Sequence, residues 1–291
     1  MADKTIILTK QNVENAILRL ESIDSNDEFA YEKAILSYLT IKHLPIFIVD
    51  IPEKAKFFRS RTHRENPFFT KISDISLAPN IEVTNYARCN KPFQSKFYCS
   101  ENRPASYMEL IESWIEDKKL GEKVLVTISE WELKTTLPMI IVTTPEKEKR
   151  KSEFDKTHGE IFDTFIDRYE GETKEANVLF YKYLFEKFRS PAKRDLKTYI
   201  ITSAYCNLSL FRAAESNINV TGIFYPSVPF NGQGTNFCIN QQFVVKENIE
   251  LMSVSRNEFL IEENEDGKYN FQETEFRESK KIDLSGGIIE W

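Results

Sequence analysis

The sequence predicts an α+β fold in which helices are inserted between groups of strands. Two observations point there. Stretches with apolar residues three and four positions apart, the mark of one buried helix face, alternate along the chain with short apolar or alternating runs of strand type. The chain also has 291 residues, 41% of them hydrophobic and 13% aromatic, enough for a sizeable core in one large domain. No internal repeat breaks this order.

The elements follow in sequence. In "TKQNVENAILRL", Val13, Ala16, Ile17 and Leu20 fall on one helical face. A second helix is expected to open at a capping box of Ser25 and Glu28, ahead of Phe29, Ala34, Ile35, Tyr38 and Leu39. Pro45 precedes "IFIVDI", a short apolar run of strand or buried-link type. "KFFRSRTH" (56–63) alternates and predicts a strand, whereas residues 64–85, with Asn, Pro, Ser and Asp, read mostly as loop. "SKFYCS" (95–100) is a compact strand. Pro104, whose missing N–H costs nothing in a first helical turn, suits the start of a helix through "PASYMELIESWIEDKK". "KVLVTISEWEL" and "PMIIVTT" predict strands. Three helices are expected over 154–166, 176–188 and 196–214, with apolar faces such as Phe154, Ile161, Phe162, Phe165 and Val178, Tyr181, Leu184, Phe185. Strands return at "VTGIFYPSV", "TNFCINQQFVV" and "IELMSVSRNEFLI"; beyond Glu262, "KYNFQETEFR" reads as an edge strand and "SGGIIEW" as a loose end. The expected organisation is a helical N-terminal extension (1–50), a main domain (51–262) with a helical insertion near 146–190, and a C-terminal tail (263–291).

Charge and cysteine usage exclude several classes. Net charge is -6, and a duplex-binding surface needs a basic excess, so no direct nucleic-acid binding is expected. Cys89, Cys99, Cys206 and Cys238 show no C-x-x-C spacing, and His43, His63 and His158 lie far apart, so no metal site is expected. The start, "MADKTIILTKQNVENAILRLE", lacks the apolar core of a signal peptide, and no apolar run approaches the roughly 18 residues of a membrane helix. The expectation is a cytoplasmic chain with reduced thiols and no membrane contact.

Four pieces suggest chemistry. A strand over "FFRSR" puts Arg59 and Arg61 on one face, where two guanidiniums repel unless an anion joins them. A pyrophosphate would satisfy such a pair. "YARCNKP" and "FYCSENRPASYMELI" place Tyr98 shortly before a helix bearing Glu109. A lone carboxylate can stabilise a sugar cation as a glycosidic bond breaks, and ordinary glycosidases add a second carboxyl to protonate the leaving group. Nicotinamide leaves neutral from a positively charged ring nitrogen, so no such acid is needed. The fourth piece, "GIFYPSVPFNGQGTNF" (222–237), ends a strand in a hydroxyl, Ser227, followed by a glycine-bearing loop with Asn236 behind it.

The order "FFRSR", "ARCN", "KFYCS" with helical "ASYMELI", "KTYIITSAYCNLSLF" and "GIFYPSVPFNGQGTNFCI" resembles the RES-domain family over roughly residues 55–255. The resemblance implies a core similar to ADP-ribosyltransferases, with mixed and antiparallel strands and flanking helices. It implies destruction of NAD at its nicotinamide–ribose bond, with water or phosphate as acceptor. NAD is then substrate, and no cofactor is required. It assigns Arg59, Tyr98, Glu109 and Ser227 to catalysis and Arg61, Arg88 and Asn90 to binding; Asn236, in the loop after Ser227, is expected to join Ser227 in fixing the ligand's polar edge. Family members include bacterial toxins restrained by an antitoxin, which implies an inhibitory protein partner. Ala87 and Cys89 depart from the family's usual Gly and aromatic residue. Transfer of ADP-ribose to a macromolecule, or a non-catalytic binding module on the same scaffold, are the alternatives.

Each residue also has a plainer reading. Arg59 and Arg61 are otherwise surface arginines of an edge strand, and Arg88 a partner of a carboxylate such as Asp74. Asn90 suits a turn before Pro92, Tyr98 a core aromatic, and Ser227 a turn cap after Pro226. Glu112 and Glu116 compete with Glu109 on the same helix.

Overall fold

The switching between helical and strand patterns is realised as one mixed sheet carrying helices. A computed structural model describes residues 8–63, 68–117, 120–150, 152–190, 195–228, 234–246, 248–263 and 269–291. Its elements, in chain order, are α1 (Lys10–Glu21), α2 (Ala30–Leu39), β1 (Ile48–Ile51), β2 (Lys56–Thr62), α3 (Ile72–Ile75), β3 (Lys96–Ser100), α4 (Arg103–Asp117), β4 (Lys123–Leu133) and β5 (Leu137–Ile141). There follow α5 (Glu153–Ile166), α6 (Gly171–Arg189), α7 (Leu196–Glu215), β6 (Gly222–Pro226), β7 (Thr235–Asn240), α8 (Gln241–Val245), β8 (Ile249–Glu263), β9 (Tyr269–Glu278), β10 (Lys281–Asp283) and β11 (Ile288–Glu290). The α+β class is as expected.

The main sheet runs β1-β5-β6-β7-β3-β2-β4-β8-β9. All neighbours are antiparallel except β5 and β6, which are parallel. A parallel pair cannot be joined by a tight hairpin and needs a long crossover. Here α5, α6 and α7 form that crossover, so the helical stretch from 153 to 215 is what permits the β5–β6 pairing. β9 is an edge strand, as "KYNFQETEFR" suggested.

At one point the sheet nearly divides. β2 joins β3 through a single register pair, Phe58 with Ser100, whereas β2 pairs with β4 over its whole length, from Lys56 with Glu132 to Thr62 with Val126. Two half-sheets therefore meet at a narrow waist. The larger core runs under both, since Phe57 of β2, Trp131 of β4 and Leu251 of β8 belong to it together with Phe97, Phe224 and Phe237. Val124, Val126, Ile128, Phe259 and Ile261 form a small cluster under α4, joined by Phe58, Tyr107, Met108 and Leu110. The larger core lies beneath the remaining helices.

Residues 8–50 are built into that larger core. Val13, Ala16 and Leu20 of α1 and Ala30, Ala34 and Tyr38 of α2 are buried in it. α1 packs on α6 and α2 on α7. The Tyr38 hydroxyl donates to the Ile201 carbonyl at 3.2 Å, and Asn207 Nδ2 donates to the Tyr31 hydroxyl at 3.0 Å. Side-chain caps define several helix starts: Thr9 accepts from Asn12 N, Ser152 from Asp155 N and Asp195 from Thr198 N.

Three local expectations are corrected. Ser25 and Glu28 form no capping box; α2 opens at Ala30, and the Asp27 carboxylate accepts from Phe29 N at 2.8 Å instead. "QQFVV" is not the continuation of β7 but the short helix α8, which buries Phe243. A short apolar run fits either element, and period alone does not decide between them. "SGGIIEW" is not loose: β10 and β11 pair, Ile289 is buried, and Trp291 Nε1 donates to the Phe69 carbonyl at 2.8 Å.

His158, on α5, lies between the rings of Phe154 and Phe224, with centroids at 4.5 and 5.3 Å. Its Nδ1 is buried without a partner, and burial lowers its pKa from 6.5 to about 4. Above pH 6.5 both folded and unfolded chains hold a neutral ring; between 6.5 and about 4 only the unfolded chain gains the proton. Stability should therefore fall as pH drops through that window, by about 2–3 kcal/mol from this group. Thermal melts from pH 7 to 4.5 should show a flatter profile for His158→Gln than for the wild type.

Candidate functional site

The waist of the sheet opens into a cavity of about 390 Å³, within the roughly 300–1,000 Å³ usual for small-molecule clefts. One rung of the sheet forms its floor. Phe58 of β2 pairs with Ser100 of β3, Ser100 with Asn236 of β7, and Asn236 with Tyr225 of β6. All four line the cavity. At the start of β6, opposite Ile239, Gly222 lets that strand close on β7: a Cβ at that position would lie 2.3 Å from the Cys238 carbonyl oxygen.

Glu109 reaches across the waist. Its helix, α4, starts with Asn102 Oδ1 accepting from Ala105 N at 2.8 Å and is tied to β2 by a 2.7 Å bond between the Ser60 and Ser106 hydroxyls. Tyr107, Met108 and Leu110 anchor α4 on the small core. Glu109 Oε1 then accepts from Ser227 Oγ at 2.6 Å and from Asn236 Nδ2 at 2.7 Å, both from the other half-sheet. Ser227 and Asn236 are themselves buried, and Asn236 Oδ1 accepts from Ser100 Oγ at 2.8 Å. Two donors on one oxygen hold the carboxylate in a single orientation. The Ser227 backbone N–H donates to the Gly234 carbonyl at 2.7 Å; residues 229–233, including Gly232, lie outside the described residues.

Arg59 forms the opposing charge. Its Nη1 donates to the Tyr98 carbonyl at 2.6 Å, its Cζ lies 5.0 Å from the Phe97 ring centroid, and its Nε is buried without a partner. Among the described residues no carboxylate pairs with it. Burial first, and the Arg61 charge second, lower its pKa to about 9. The guanidinium is still protonated at neutral pH; the shift expresses the cost of keeping a cation there without an anion.

The structure gathers Arg59, Arg88, Tyr98, Glu109 and Asn236 around the cavity, with Ser227 behind Glu109. Arg61 and Asn90 are not among the lining residues. Arg61 Nη2 donates instead to the Ser76 carbonyl at 2.8 Å. Asn90 is buried and supports Tyr98: the Tyr98 hydroxyl donates to Asn90 Oδ1 at 2.8 Å and accepts from Cys89 N at 2.9 Å. Arg88 pairs not with Asp74 but with the end of α6, donating to the Lys187 and Ser190 carbonyls at 3.0 and 3.1 Å. Ser60, Ser100, Ser106, Tyr199 and Tyr225 also line the cavity and were not singled out from sequence. Tyr225 had a signal, since strand alternation puts it on the face of Ser227; the serines and Tyr199 had none.

No family model matches the chain. No curated protein matches its sequence either. Chemically, the cavity offers a fixed carboxylate, an uncompensated cation, several hydroxyls and flat aromatic walls. Among the described residues no group of His, Cys, Asp and Glu is arranged to hold a metal ion, and no helix is long and apolar enough to cross a membrane.

Proposed function

We propose that this chain, on a RES-type scaffold, cleaves the nicotinamide–ribose bond of NAD. The observation that carries the reading is the pairing within one cavity of a partly buried guanidinium, whose Nε is buried and which has no carboxylate partner among the described residues, and a carboxylate held by two donors. A buried cation without a counter-charge is costly, and an anionic ligand removes the cost. The NAD pyrophosphate supplies that anion.

Glu109 then faces the ribose carbon. As the C–N bond lengthens, positive charge grows on that carbon, and a preorganised carboxylate stabilises it without reorganising. The bonding pair leaves with nicotinamide, which needs no proton. Tyr98, clamped through its hydroxyl by Asn90 and Cys89, forms a rigid wall of the pocket. Water or phosphate takes the vacated position on the sugar.

Incubation of purified protein with NAD, followed by chromatography, tests this. Free nicotinamide is expected, together with ADP-ribose or its 1-phosphate. Intact NAD after prolonged incubation of inhibitor-free protein would discard the reading.

A further inference from the structure

Arg88, Tyr199 and Tyr225 line one part of the cavity. Tyr225 pairs with Asn236 and stands two residues before Ser227, so this corner adjoins the two groups that hold Glu109. We propose that the corner is the leaving-group pocket, and that Arg88 makes it selective for nicotinamide in its uncharged state. The inference rests on the NAD-cleaving reading above.

Two features define the corner. It is flat: the Arg88 Cζ lies 5.8 Å from the ring centroids of both Tyr199 and Tyr225, and aromatic faces of this kind accept a planar heterocycle. It also carries the Arg88 guanidinium. Arg88 donates through Nη1 and Nη2 to the Lys187 and Ser190 carbonyls, at the negative end of the α6 dipole. Those bonds keep the guanidinium at the wall and stop it swinging toward a phosphate. No carboxylate neutralises it among the described residues. It is therefore a fixed cation facing whatever ring enters.

That charge matters because the ring changes charge during the reaction. In NAD the ring nitrogen is quaternary and positive. When the C–N bond breaks, its electron pair passes to that nitrogen and neutralises it, and the positive charge moves to the ribose carbon beside Glu109. The carbon then takes the oxygen of water, whose proton goes to solvent, or an oxygen of phosphate. A cation beside the ring opposes the starting distribution and ceases to oppose the final one. Arg88 on one side and Glu109 on the other thus drive charge in the same direction, an interaction stronger in the transition state than in the bound substrate.

The test compares two planar inhibitors of nicotinamide release, neutral nicotinamide and cationic 1-methylnicotinamide. With wild-type protein, nicotinamide should inhibit at a concentration roughly tenfold or more below that of its methylated form. Equal inhibition, or preference for the cation, would overturn the inference while leaving NAD cleavage intact. Absence of any nicotinamide release would remove the parent reading and this one with it. Arg88→Gln should lower kcat roughly tenfold or more without raising KM for NAD, and should erase the discrimination; Arg88→Lys should retain it. A raised KM with unchanged kcat in Arg88→Gln would make Arg88 an ordinary binding group and overturn the proposal. Should Arg88→Gln fail to fold for want of its α6 contacts, the wild-type comparison decides alone.

Discussion

Replacing Glu109 by Gln should reduce nicotinamide release by about two to three orders of magnitude with little change in melting temperature. The substitution keeps the size of the side chain and an oxygen able to accept from Ser227 and Asn236, so both donors remain satisfied. α4 is held independently, through the Ser60–Ser106 contact and the packing of Tyr107, Met108 and Leu110. The negative charge facing the ribose disappears. Single-turnover release of nicotinamide measures the chemical step, and a thermal melt confirms the fold. Retention of more than about a tenth of wild-type turnover would show that the carboxylate does not stabilise the sugar cation. Glu109 would then be a structural bridge across the waist of the sheet.

Arg59→Met should produce the second large effect, and in two opposite directions. KM for NAD should rise by roughly thirty- to a thousandfold, because a buried charge-assisted contact to the pyrophosphate is worth about 2–4 kcal/mol. The ligand-free protein should at the same time become more stable, by about 1–3 kcal/mol. The reason is the partnerless Nε and the low guanidinium pKa: the cation is unfavourable until an anion arrives. Methionine fills similar space against Phe97 without a charge. Denaturant unfolding of the ligand-free variant and steady-state kinetics read the two effects separately. A variant that loses both activity and stability would make Arg59 a structural cation, not a ligand-binding one.

Much of the secondary structure was legible because it depends on short-range pattern. The stripe Val13, Ala16, Leu20 is buried as its spacing implied, and the alternation in "KFFRSRT" is a strand. Legibility failed where two local solutions were equally good. "QQFVV" suits a strand or a helical turn, and Ser25 with Glu28 lost to Asp27 as the N-terminal acceptor of α2. It failed again where a distant partner was needed: Ile289 and Trp291 look unattached until β10 and the Phe69 carbonyl are brought beside them.

The site divides in the same way. Residue types and their order indicated a guanidinium, a carboxylate, a serine and an asparagine worth bringing together, because the chemistry of those groups is intrinsic to them. Which arginine faces the cavity was not decided there. Arg59 and Arg61 share one strand face, yet one lines the pocket and the other binds the Ser76 carbonyl. Tyr199 carried no local signal at all; α7 delivers it through the crossover between β5 and β6.

By itself, then, the sequence determined the α+β class, the placement of most elements and the chemical repertoire, since these follow from periodicity, capping and side-chain type. Only the tertiary structure decided that β2 and β3 meet at one residue pair, and that Glu109, Ser227 and Asn236 converge there beside Arg59. Strand register and helix packing set those contacts, and both are fixed by burial summed over the whole chain, which no local stretch encodes.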